Sequence, residues 1–206
     1  HAADFPLRAV GYLSHKKKAP SAEPFYELVG MDVFRTERRV DRIFERVEFP
    51  KDLPKVPHAE VPALLVFNLQ FPGGPQSIVP DGDGPGASVV LYFRISNQTL
   101  DLLHRRAHHE QLAGGDEEAS HVAPALNLLA EWCQRAPEDP KFRGRFKCMG
   151  FIEEIEKYGI PPIAASYNGK PVLIKKTGTL YRGDNFIEMD VNIHRFTYLC
   201  RISLIA

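Results

Sequence analysis

The stretch Asn185-Phe186-Ile187-Glu188-Met189-Asp190-Val191-Asn192-Ile193-His194-Arg195 alternates apolar and polar side chains with a two-residue period. Only an extended strand turns successive side chains to opposite sides. Ile187, Met189, Val191 and Ile193 would therefore face one way, and Glu188, Asp190, Asn192 and His194 the other. The polar row admits two readings. It could line a cleft, with Glu188, Asp190 and His194 as acid/base groups of a hydrolase-like site. The plainer reading is the solvent face of a half-buried strand, because any such strand shows this alternation. Residues four apart on a strand are separated by about 13 Å along it, so Asp190 and His194 would not touch directly.

Working outward, Ala63 to Phe71 is a near-continuous apolar run of strand length, which predicts a strand covered on both faces. Ser88 to Ile95 is a β-branched and aromatic partner for it. Between them Pro72 to Ala87 is dense in Gly, Pro and Asp and predicts a loop. Leu7 to Leu13, Phe25 to Met31, Val172 to Lys176 and Asn185 to Leu204 also read as strands, with Tyr181 to Asp184 as a turn. Asp32 to Phe49 carries Val33, Val40, Ile43, Phe44 and Val47 at mostly helical spacing, so a helix with one apolar stripe is expected there. Pro50 to Pro62, with four prolines, reads as an irregular connection. Thr99 would cap a helix to about Leu112, and Ser120 one to about Arg135. Strands broken by helices without a regular βαβ beat predict one α+β domain over residues 1–206. Its sheet would be largely antiparallel, with two to four helices packed on it and room for an apolar pocket.

The 206 residues are 44% hydrophobic and 25% charged, an ordinary soluble composition. The 26 basic and 26 acidic side chains cancel, so no global field recruits nucleic acid, and any anion site must be local. Cys133, Cys148 and Cys200 form neither a disulfide framework nor a paired zinc site. They are expected to be buried in a chain of a reducing, cytoplasmic compartment. No apolar run approaches the ~18 residues that a membrane span needs. The chain opens on His1 rather than Met, as expected of an excised or processed piece.

Local cations are the anion-binding candidates: Lys16, Lys17 and Lys18; Arg143, Arg145 and Lys147; and Lys175, Lys176 and Arg182. Each set could meet the phosphates of a phosphoinositide or another acidic lipid. Aromatics around the second set (Phe142, Phe146, with Tyr158 beyond) offer a protein-interaction surface instead. His104 and His108 share a helix face, with His109 beside them, but the ligand set is incomplete and Arg105 and Arg106 would repel a cation, so no metal site is expected. Nucleophile elbows, phosphate loops and dinucleotide fingerprints are absent from the sequence, which predicts neither an enzyme nor a cofactor.

Several segments, in order, resemble one known family. Tyr12 to Pro20 and Glu23 to Val29 resemble its lysine-rich opening and first long strand, and Asp32 to Asp41 a following helix start. Phe67 to Gly73 and Leu91 to Phe93 resemble its central strands. Arg145 to Lys147, Gly169 to Ile174 and Tyr181 to Val191 resemble its last third. The family is the C-terminal domain of the enhanced-disease-resistance-2 proteins, which often follows pleckstrin-homology and START domains. The resemblance implies association with lipids, peripherally with membranes, and with stress or cell-death regulation, and it supplies no catalytic site. On that footing Tyr12, Asn68, Gln70, Tyr92, Asn185, Glu188, Asp190 and His194 are the residues expected to line a pocket, with a lipid surface or a protein as partner and no nucleic acid.

Overall fold

The chain is described by a computed structural model over residues 5–9, 11–58, 60–107, 117–160, 162–166 and 168–205. Five strands form the central sheet: β3 (Tyr26–Thr36), β4 (Leu64–Pro72), β5 (Gly86–Ile95), β8 (Gly178–Arg182) and β9 (Phe186–Asn192). Their order is β3-β5-β4-β9-β8; β4 and β9 run parallel and the other neighbours antiparallel. β4 and β5 are joined by the loop between Pro72 and Gly86, where the Gly- and Pro-rich sequence predicts one. β4 and β9 are separated by more than a hundred residues, far beyond the dozen or so that a parallel crossover needs. A hairpin of β1 (Pro6–Arg8) and β2 (Lys18–Pro20) precedes the sheet, with one helical turn, α1 (Tyr12–His15), at its tip. A two-stranded piece pairs β6 (Lys147–Cys148) with β7 (Val172–Leu173).

Helices α2 (Asn97–Ala107) and α3 (Glu117–Arg135) follow β5, then the short α4 (Pro140–Arg143) and α5 (Pro162–Ala165), and finally α6 (Tyr198–Ile205). Ser96 rather than Thr99 caps α2: its Oγ accepts the Thr99 N–H at 3.2 Å. The expected end of that helix at Leu112 lies outside the described residues. On one face of the sheet, Trp132 and Cys133 of α3, Ala136 just after it and Phe142 of α4 pack on Ile187, Met189 and Val191. At the sheet end, Leu103 and Leu126 close over Val61, Ala63 and Ile95.

The opposite face is covered without a regular helix. Asp32 to Phe49 is not the helix that its spacing predicts: β3 runs on to Thr36, and the only helical piece is a 3-10 turn, Ile43–Glu45. Val40, Ile43, Val47 and Phe49 do point at a core, packing with Leu64, Val66, Val90 and Tyr92. Asn185 to Leu204 is likewise not one strand. β9 stops at Asn192, a 3-10 turn spans Ile193–Arg195, and α6 follows. Cys133 is buried as expected, whereas Cys148 and Cys200 are exposed.

Candidate functional site

The parallel register sets Val66 beside Glu188, Asn68 beside Asp190 and Gln70 beside Asn192. Because side chains opposite one another share a face, this places five hydrogen-bonding groups in one patch of β4 and β9. The patch is not solvent-facing. Glu188 is 0% and Asp190 2% exposed, and Asn68 and Gln70 are buried beside them. The solvent-face reading of the alternation is therefore corrected: segment 37–49 crosses over this face and both rows of β9 are buried.

What the polar row does is hold that segment. Glu188 accepts the backbone N–H groups of Ile43 and Phe44, each at 2.8 Å. Asp190 accepts the Arg42 N–H at 3.0 Å and Asn68 Nδ2 at 2.7 Å. Asn68 and Gln70 both donate to the Val40 carbonyl at 2.8 Å, and Gln70 donates to Asp41 Oδ1 at 2.9 Å. The segment thus satisfies its backbone with side chains from strands far away in sequence, as backbone pressed against a core without regular structure must do. Arg42, at φ 52, sits in the left-handed region where the chain turns onto these acceptors.

Acceptors outnumber donors here. Asn68 Oδ1 and Gln70 Oε1 have no donor among the described residues. Burial pushes the Glu188 carboxyl up to about 8, its hydrogen bond to Asp190 and that group's charge push the same way, and the Phe44 and Ile43 amides pull it back. Burial also raises Asp190, against the pull of Glu188, Arg42 and Asn68. Burial thus pushes both carboxyls towards their neutral forms, and the hydrogen bond between them favours the proton on Glu188.

The remaining predicted pocket residues are dispersed. His194 lies past the end of β9 and lines a cleft of about 240 Å³ with Gln76, Asp81, Asp83 and Arg201. Burial lowers its pKa, opposed by the charges of Asp81 and Asp83. Glu188, Asp190 and His194 thus do not converge, and the hydrolase-like arrangement is not formed by them. Tyr92 lies on the clamp face and donates to Asp32 Oδ2 at 2.9 Å. Asn185 accepts the Ala63 N–H at 3.0 Å, at the start of β4. Tyr12 belongs to the hairpin tip. Among the described residues, both faces of the sheet expected to bound an apolar pocket are lined by packed side chains. A wide, open concavity of about 820 Å³ lies instead at the loop end, beside Arg35, Phe71, Gly86 and Val89.

The cations fall into two groups. Lys16, Lys17 and Lys18 are exposed on the hairpin. Around the C-terminal end of α3, Arg143 Nη1 reaches the Ala136 and Pro137 carbonyls at 3.4 and 3.3 Å, and Arg182 Nη1 donates to the Cys133 carbonyl at 3.0 Å. Cations belong at such a helix end, so these two have structural work. Arg145 stacks over the Phe142 ring at 4.0 Å, while Lys147, Lys175 and Lys176 are exposed. The aromatic interaction surface is corrected: Phe142 is 5% exposed and Phe146 stacks on Phe67 and Trp132, leaving Tyr158 outside at 59%. His104 is exposed on α2, and His108 and His109 lie outside the described residues. Among the described residues no three His, Cys, Asp or Glu side chains are grouped to hold a metal ion, and no helix is long and apolar enough to cross a membrane.

The residues that the sequence alone did not single out are Asp41 and the backbone of Val40 to Phe44, which gave no signal because backbone amides carry none.

No curated protein and no solved structure matches the chain. One family model does, over residues 1–205, described as Protein ENHANCED DISEASE RESISTANCE 2, C-terminal. With essentially its whole length matched, and with the mixed sheet and helices laid out as above, the chain belongs to the family of the C-terminal domain of the enhanced-disease-resistance-2 protein.

Proposed function

We propose that the chain is a non-catalytic regulatory module of disease-resistance and stress signalling that associates with lipid at a membrane surface, using local basic groups to meet acidic head groups. The observation that carries this reading is how its polar groups are spent. The concentrated set of buried acids and amides on β4 and β9 is used on the chain's own backbone, while the hairpin cations stay exposed beside apolar side chains. A filled interior favours contact at the surface over carriage of lipid inside. Such a module would work in the cytoplasm, peripherally attached.

Flotation of the 206-residue chain with vesicles tests it. Phosphatidylcholine vesicles should leave the chain behind. Vesicles with phosphatidylserine or a phosphoinositide should carry it up at low salt and release it at high salt. Absence of flotation with both acidic lipids at low salt would sink the reading.

A second reading is favoured by one feature. β3 is an eleven-residue edge strand on which Leu28, Val29, Met31, Val33 and Phe34 are all exposed. Such an edge invites a partner strand, although the bulge at Val29 and the exposed charges of Glu27, Asp32 and Arg35 blunt it. A protein partner that stays bound after Lys16, Lys17 and Lys18 are neutralised would support this alternative.

A further inference from the structure

The geometry points to the tip of the N-terminal hairpin as a preformed membrane-docking element, in which Leu13 enters an anionic bilayer while Arg8, Lys16, Lys17 and Lys18 hold its head groups. This deepens the proposed lipid association and rests on it. From Phe5 to Ala22 there is no Asp or Glu, although acidic and basic residues balance at 26 each over the chain. The strand register makes the imbalance physical. Arg8 of β1 is directly opposite Lys18 of β2, a like-charge pair that costs stability unless an anion joins it. Arg8 and Lys16 also share one aromatic ring, 4.8 and 5.8 Å from the centre of Tyr12. Among the described residues none of the four cations has a carboxylate within ion-pair distance.

The tip itself is held by uncharged bonds, so its cations remain available. Gly11 and Lys16 take left-handed conformations, φ 76 and 57, at either end of the turn. Ser14 Oγ donates to the Gly11 carbonyl at 2.7 Å, the Lys16 N–H to the Tyr12 carbonyl at 2.8 Å, and the Lys17 N–H to His15 Nδ1 at 2.9 Å. Phe5, edge-on to Phe151 with ring centres 6.2 Å apart, ties the hairpin to the body of the protein. At the apex Leu13 is 81% exposed, with Leu7 at 44% below it. A leucine held out among cations gains only where an apolar phase lies directly behind an anionic layer. A bilayer interface has that order of layers; a nucleic acid or an acidic peptide does not.

The test measures partition of the 206-residue chain onto phosphatidylcholine vesicles with and without phosphatidylserine. Comparing K16Q/K17Q/K18Q with R145Q/K175Q/K176Q separates the hairpin from the other cations. The first should lose about 100-fold in affinity, at roughly fivefold per lysine, and the second should stay within about twofold of the parent. L13S should lose about tenfold. In L13W the new indole should shift to shorter wavelength and be quenched by brominated acyl chains, a readout that the buried Trp132 would not give. All these side chains are exposed, and unchanged thermal melts would show that the variants fold. If the parent binds while the hairpin variants bind equally, or L13W stays unquenched, the docking element is overturned and surface association stands. If the parent ignores phosphatidylserine vesicles altogether, the proposed lipid association falls and the hairpin's role falls with it.

Discussion

Replacing Glu188 by Ala removes the acceptor for two backbone donors. The Ile43 and Phe44 N–H groups, each 2.8 Å from a Glu188 oxygen, would be left without a partner under a segment whose Ile43 is only 3% exposed. A stranded buried donor costs about 1–3 kcal/mol, so the pair should cost ~2–5 kcal/mol. For a chain of this size that lowers the melting temperature by about 5–15 °C. Glu188→Gln keeps one oxygen and strands one donor, a loss of about 1–3 kcal/mol at acid pH.

The Gln variant also isolates the proton. The folded-state carboxyl sits at about 8 against an ordinary 4.5, so the folded chain holds this proton more tightly than the unfolded one. The stability it confers is fully present below about pH 4.5 and is lost as pH rises towards 8, an effect of about 2–4 kcal/mol once sharing with Asp190 is allowed for. Urea unfolding at a series of pH values should therefore show the parent losing stability over that range and Glu188→Gln much less, so the two converge near pH 8. An Ala variant within 0.5 kcal/mol of the parent, or a parent that gains stability from this residue as pH rises, would refute the clamp.

Two other perturbations probe the frame around it. Arg201, 2% exposed on α6, donates to the Ser77 carbonyl at 2.5 Å and straps the β4–β5 loop to the helix; Arg201→Ala should speed proteolytic cutting within Gly73–Pro85 and cost about 1.5–3 kcal/mol, and unchanged cutting would remove the strap. Gly86 has no room for a side chain, since a Cβ there would lie 1.9 Å from the Phe71 carbonyl oxygen; Gly86→Ala should destabilise by about 1–3 kcal/mol or more in thermal melts, and a neutral result would contradict the β4–β5 register.

Where local pattern and final structure agree, the cause is local. Ala63 to Phe71 and Ser88 to Ile95 are continuous apolar or β-branched runs, and they form two of the three inner strands, which need covering on both sides. The helical spacing of Leu126, Leu129, Trp132 and Cys133 is met by a helix because those amides have their own i−4 carbonyls to bond. Asp32 to Phe49 misleads because Val40, Ile43, Phe44 and Val47 present the same apolar spacing to a core whether their amides bond within a helix or to Asp190 and Glu188. Those acceptors lie about 145 residues away, and the distance hides them. Tyr198 to Ile205 is rich in residue types that suit strands, yet it follows the turn after Asn192 with no free sheet edge at that point and forms α6 instead. From sequence alone Glu188 and Asp190 read as the solvent face of a half-buried strand or as pocket lining, and Asn68 and Gln70 as pocket lining. That they would meet the chain's own backbone, and not a ligand, depended on where segment 37–49 lies.

Amide hydrogen exchange along the whole chain, with and without phosphatidylserine vesicles, tests the account most directly, because it reads the internal clamp and the docking surface together. The Arg42, Ile43 and Phe44 amides should be protected from the outset and unchanged by vesicles, while new protection appears over residues 7–18. Fast exchange at 42–44 in the free chain, or vesicle-induced protection at 40–44 and 188–194 with none on the hairpin, would contradict it.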